Sequence, residues 1–251
     1  MKLRGPKAAW LETNGKRMQD RYAGDVGDYV KLALLRALSP GMKLGVAWYL
    51  YPDEGHNEDG KHTAYLDSPL RWRELDSVLF DRLQMVVAQE RSAAALESCG
   101  ALDATFSRKI LDHGHLPRGL RSEARAAWFE DIRKALDGCD LLFADPDNGL
   151  TDDQPSRRGS AKFGKQLPLH EALSLAAGRT AVIYHHNSRF KGGHDLEVDH
   201  WRSMLGSNSI AVRANAYSCR TFFIVNPTQA VFDRARGFCD RWSHHKVRLH
   251  T

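Results

Sequence analysis

The sequence has no run of about 18 apolar residues, so it offers no candidate membrane-spanning helix. Its opening stretch, MKLRGPKAAWLETNGKR, is basic but lacks an apolar core, and no secretory signal is expected. Cysteine is sparse: Cys99, Cys139, Cys219 and Cys239 stand far apart and form no CxxC pair. That spacing argues against a structural zinc site or a disulfide framework and makes a reducing cytoplasm the expected compartment. No G-x-x-x-x-G-K-[ST] is present, which removes a P-loop nucleotide site. The absence of G-x-S-x-G and S-x-x-K disfavours a serine hydrolase. With no internal repeat, low-complexity tract or linker, residues 1–251 read as one domain.

What is present is ordinary in bulk and uneven in detail. Hydrophobic residues at 42% and charged residues at 27% suit a globular chain with a sizeable core. A formal charge of +5 is equally compatible with a polyanionic partner and with simple solubility. DVGDYVKLALLRAL has helical apolar spacing with Asp25 or Asp28 near its start, and LGVAWYLY (44–51) is a dense apolar run of strand length. Helical patterns follow at 75–98 and 122–136, with ATFSRKIL between them as a candidate strand. CDLLFADP and TAVIYHHN (180–187) read as strands, each followed by a helix. IAVRANA and CRTFFIVNP are close in sequence and predict an antiparallel closing pair before a last helix through AVFDRARGFCDRWSHH. This alternation predicts an α/β fold: a mainly parallel sheet with helices on both faces, LLFAD and TAVIY being adjacent central strands.

Three predicted strand ends carry polar clusters. The first holds Asp53, Glu54, His56, Asn57, Glu58, Asp59, Lys61 and His62; the second Asp145, Asp147 and Asn148; the third His185, His186, Asn187 and Arg189. In a parallel sheet all three lie on the edge where ligands bind. Asp145 and Asp147, joined by Glu54, could hold Mg²⁺ through oxygen ligands and activate water for phosphodiester cleavage. Turns are also rich in aspartate for reasons of backbone hydrogen bonding alone. Adjacent strand residues point to opposite faces, so at most one of His185 and His186 faces the crevice; His185 is taken as the candidate. The loop SRRGSAKFGK supplies Arg157, Arg158, Lys162 and Lys165 for phosphate contacts and Phe163 for base stacking, or is simply a solvated loop.

Taken together, several of these segments resemble the bacterial large-subunit ribosomal-RNA adenine-N6 methyltransferases. That family has G-N-x-A-D-x-x-K at its N-terminal helix start, where this chain has Gly24, Asp25, Val26, Gly27, Asp28, Tyr29, Val30 and Lys31. LGVAWYLYPDEG stands where the family has its first strand and cofactor loop. LLFADPDNG stands where it has D-P-P-Y, and CRTFFIVNP is similar to its closing strand. The resemblance implies a three-layer, Rossmann-like methyltransferase sheet with an antiparallel closing hairpin, S-adenosylmethionine as cofactor, and RNA or DNA as substrate. It implies cofactor contacts from Asp28, Lys31, Asp53, Glu54 and Gly55. It also implies that Asp145 accepts a hydrogen bond from the base amine to be methylated, with Asp147 and Asn148 completing the pocket. The chain departs from the family in two places: PDEGHNEDG replaces a glycine-rich turn, and Asp147–Asn148 replace the proline and the stacking tyrosine.

Three readings therefore stand side by side: a nucleic-acid methyltransferase, a Mg²⁺-dependent nuclease built on Glu54, Asp145 and Asp147, and a binding partner that kept the fold without the chemistry. For Asp28, a plain helix-capping role stands beside the ligand role.

Overall fold

The structure, a computed structural model, describes residues 22–52, 62–89 and 91–251. In chain order its elements are α1 (Val26–Leu38), β1 (Leu44–Ala47), α2 (Pro69–Trp72), α3 (Ser77–Ala88), α4 (Ala93–Ser98), β2 (Ala104–Ser107), α5 (Arg121–Ala135) and β3 (Leu141–Ala144). There follow β4 (Leu150–Thr151), α6 (Ala161–Gly164), β5 (Leu167–Pro168), α7 (Leu169–Leu175), β6 (Thr180–His186) and α8 (His194–Leu205). The chain closes with β7 (Ser209–Ala214), β8 (Arg220–Val225), α9 (Gln229–Trp242) and β9 (Val247–His250). Seven strands form one sheet in the order β2-β1-β3-β6-β8-β7-β9. β2, β1, β3 and β6 are mutually parallel, whereas β8 is antiparallel to both β6 and β7, and β9 to β7. LLFA and TAVIY are thus central neighbours, and the two late strands pair antiparallel as their spacing predicts.

The sheet is buried on both faces, which is why its central strands are continuous apolar runs rather than alternating ones. Leu141, Phe143 and Val182 pack toward α1, α3, α4 and α9; Leu142, Ala144, Ala181 and Ile183 pack toward α5, α7 and α8. Three layers result. α1 is apolar on almost every side because it lies in the middle of its layer. Asp25 caps it, its carboxylate accepting the Asp28 backbone N–H at 2.9 Å.

Sequence pattern and structure part company at the ends. The apolar run 44–51 leaves the sheet after Ala47, because Trp48 and Tyr49 turn to opposite faces and Tyr49 takes φ +50°. Trp48 Nε1 donates to Glu97 at 2.7 Å on one face, and the Tyr49 hydroxyl donates to Glu171 at 3.2 Å on the other. The helical pattern at 75–98 is two helices, and only ATFS of ATFSRKIL is strand. β9 was not expected: its four residues, VRLH, are too few for a period-2 pattern to stand out.

On the α5–α7 face, Arg125 is buried and fully engaged. It donates to both Glu171 oxygens at 2.6 and 2.9 Å and to the Phe163 and Gln166 carbonyls, each at 2.8 Å. This pair fastens the segment after β4 onto the body of the domain. Glu171→Ala leaves the guanidinium without its counter-charge and is expected to cost about 3–5 kcal/mol in chemical denaturation. A loss below about 1 kcal/mol would show that Arg125 does not depend on Glu171.

Candidate active site

The carboxyl ends of β1, β3 and β6 converge with the first turns of α1. Asp145 follows β3 directly, and its Oδ2 lies 2.6 Å from Lys31 Nζ. The same ammonium lies 2.9 Å from Asp28 Oδ1, one turn earlier on α1, and Asp28 Oδ2 accepts the Gly24 N–H at 3.0 Å. The Trp48 and Tyr184 ring centroids lie 5.7 and 5.6 Å from Nζ, within cation–π range. A buried ammonium is therefore caged by two carboxylates and two rings.

Charge balance explains how these groups titrate. Burial alone would lower the Lys31 ammonium, but the attraction of Asp145 and Asp28 outweighs it and raises Lys31 above the ordinary lysine value. Burial raises Asp145 to about 6 against the pull of Lys31, and repulsion from Asp28 and Asp147 adds to the rise. The two rises have different causes: carboxylate attraction lifts Lys31, whereas burial lifts Asp145. Asp25 is raised as well, by burial first and then by Asp28.

Beyond β6 the edge continues to Arg220, which faces His186 across the β6–β8 ladder. Its guanidinium lies over Gly27, where an added Cβ would come within 2.7 Å of Nε and the guanidinium would have to shift. Arg220 Nη1 donates to the Ala216 carbonyl at 3.3 Å, and Nη2 lies 3.9 Å from Asp25. His186 reaches the surface, its Nδ1 3.4 Å from the Tyr184 hydroxyl, and its imidazolium is disfavoured by partial desolvation of the ring and by Arg220.

The residues expected from sequence divide clearly. Asp28, Lys31 and Asp145 come together, Asp147 is half-buried beside them, and Asn148 is exposed, its N–H bonded to the Lys165 carbonyl at 3.0 Å. Asp53, Glu54 and Gly55 lie outside the described residues, as do His56, Asn57, Glu58, Asp59 and Lys61.

His185 does not face this crevice. It points to the opposite face, where Nδ1 accepts the Leu150 N–H at 3.0 Å and Nε2 lies 3.2 Å from Glu197. The alternation that makes one histidine of the pair face the site selects His186 instead. Burial would raise Glu197, but hydrogen bonds from His185, Ser188 and Asn187 outweigh it and lower the carboxyl to about 2. Phe163, expected as a stacking ring, is buried with the Arg125 guanidinium 5.1 Å from its centroid. Arg157 is turned onto Asp152 at 2.6 Å.

Sequence reading missed Trp48, Tyr184 and Arg220. Tyr184 was legible in principle, since it shares a strand face with His186. Trp48 and Arg220 depend on how the chain leaves one strand and enters another.

Among the described residues no group of three or more His, Cys, Asp or Glu is placed to hold a metal ion, and no helix is long and apolar enough to cross a membrane. An open groove lined by Asp137, Asp140 and Arg179 lies at the other end of the strands, away from Asp145. No protein-family model, curated protein or solved structure matches the chain.

Lys31→Met leaves Asp28 and Asp145 without their shared cation and is expected to cost about 3–5 kcal/mol. Adding Asp145→Asn should return part of that loss. No rescue in denaturant titrations would show that the two side chains are not coupled. The pH dependence has a definite sign. Between the ordinary 3.8 and about 6 the folded state binds more protons at Asp145 than the unfolded state, so this group's contribution to stability falls as pH rises through that window. Asp145→Asn should remove that downward slope, and an unchanged slope would place the titration elsewhere.

Proposed function

We propose that the protein is a methyltransferase-like enzyme that modifies an amino group of a nucleic-acid base. The observation that supports this reading most is the setting of Asp145: a buried carboxylate just past a central parallel strand, already holding an N–H donor at 2.6 Å between two aromatic rings. That is the arrangement an exocyclic amine would need. The sheet agrees with the resemblance in its parallel centre and in its antiparallel closing hairpin.

The residues present also fit S-adenosylmethionine. Asp25, Asp28, Asp145 and Asp147 outnumber Lys31 and Arg220 along this edge, and an excess of carboxylate suits the cationic methionine end of the cofactor. When bound, the cofactor supplies an electrophilic methyl group. The chain's own residues do the rest. Asp28 and the edge carboxylates attract the positive charge, Asp145 accepts the amine N–H and takes the proton released, and Lys31 keeps Asp145 ionised at neutral pH. A carboxyl raised to about 6 is a better proton acceptor than an ordinary one and still charged at pH 7. Activity should therefore fall as pH drops through about 6, where Asp145 becomes protonated.

The nuclease reading keeps Asp145 and Asp147 but needs Glu54, and the same experiment separates the two. Purified protein is assayed on RNA and on DNA with S-adenosylmethionine alone and with Mg²⁺ alone. Asp145→Asn is expected to lower methyl transfer by about 10²–10⁴-fold while cofactor affinity, measured calorimetrically, changes little. Asp147→Asn should cost less than tenfold, since the family has an uncharged residue at that place. Loss of a Mg²⁺-dependent cleavage in both variants, with no need for S-adenosylmethionine, would overturn the proposal.

A further inference from the structure

The loop 215–219 joins β7 to β8 and therefore stands on the same edge of the sheet as Asp145. Tyr217 at its tip takes φ +66°, a left-handed conformation that a bulky L residue rarely adopts. Glycine or asparagine would be at ease there, yet the position carries a large ring, and the residue is 56% exposed.

The ring is propped from beneath. Its centroid lies 5.7 Å from His62 at an interplanar angle of 29° and 6.3 Å from the buried Trp72 at 32°. The loop is fixed at both ends: Asn215 N–H donates to the Lys246 carbonyl at 3.1 Å, and Asn187 N–H donates to the Cys219 carbonyl at 3.1 Å. Arg220 reaches back to the Ala216 carbonyl, so the loop is joined to the α1 start as well. His62 is attached to the same start, its carbonyl accepting the Val26 N–H at 3.0 Å. An exposed cation stands close to this support: the Arg71 guanidinium lies 5.7 Å from the centroid of Trp72, the ring beneath Tyr217.

We propose that Tyr217, supported by Trp72 and His62, is a stacking platform for an unpaired base, and that the exposed Arg71 meets a phosphate beside it. An exposed flat ring beside a cation is the pattern by which single-stranded nucleic acid is bound, because every base has a face to stack. This rests on the nucleic-acid reading above and adds its source of stacking. The motif after β3 has no aromatic ring at Asp147–Asn148, and Tyr217 supplies one from the neighbouring hairpin.

The test is equilibrium binding, by fluorescence anisotropy, of a labelled single-stranded RNA and of the same sequence as a duplex, without S-adenosylmethionine. Wild-type protein should prefer the single strand. Tyr217→Ala should weaken binding by about 5- to 150-fold, the range of one base stack, and Tyr217→Phe should stay within about threefold of wild type. Tyr217→Gly should bind as poorly as Tyr217→Ala yet melt no lower than wild type, because glycine relieves the left-handed backbone. That combination separates binding from folding. Wild-type affinity in the Ala and Gly variants, a Phe variant as weak as Ala, or no RNA binding by the wild type overturns the platform. Tyr217-dependent binding without any methyl transfer would sink the enzymatic proposal and leave the platform standing.

Discussion

The contact between Lys31 and Asp145 spans 114 positions of sequence and joins the first turns of α1 to the end of the central strand β3. Burying one ammonium and two carboxylates is costly unless each is paired, so the arrangement can persist only if α1, β1, β3 and β6 are all correctly placed. Trp48 closes it from β1 and Tyr184 from β6. Removal of Lys31 would leave two carboxylates in the interior without a cation. A fold held only by apolar packing would tolerate sliding of α1 over the sheet far better than this one does.

Two further polar assemblies secure the same edge from the other face. Arg125 and Glu171 hold the segment after β4, and Glu197 gathers His185, Asn187 and Ser188 at the end of β6. His185 in turn accepts the Leu150 N–H and thereby sets the path of the chain beyond Asp147. The crevice face is left with charge in excess, while on the opposite face the charges are matched by side-chain and backbone partners. This division explains why neighbouring residues of one strand, Tyr184 and His185, belong to different tasks.

Much of the architecture was legible because the central strands are apolar without interruption and end abruptly in polar residues. LLFADPDN and TAVIYHHN each state both a buried strand and the point where it meets solvent. Asp28 and Lys31 were legible through their three-residue spacing at a capped helix start, which places them on one face. The resemblance implied a ligand role for both; the direct contact of Lys31 with Asp145 is visible only in the structure. What sequence could not supply was the exit geometry of strands. The turn at Tyr49 and the strained tip at Tyr217 are backbone conformations that neither residue type announces. The choice of His186 over His185 needed the register of β6 against β8, because alternation names two faces without saying which is the crevice.

Everything at this edge depends on Lys31 being a buried, charged ammonium held by Asp145. Proton–nitrogen NMR of ¹⁵N-lysine-labelled protein tests it most directly. A slowly exchanging ammonium resonance is expected at neutral pH, absent from Lys31→Met and shifted or rapidly exchanging in Asp145→Asn. If no protected ammonium is seen, or if the one assigned to Lys31 is indifferent to Asp145, the site is not organised around this pair.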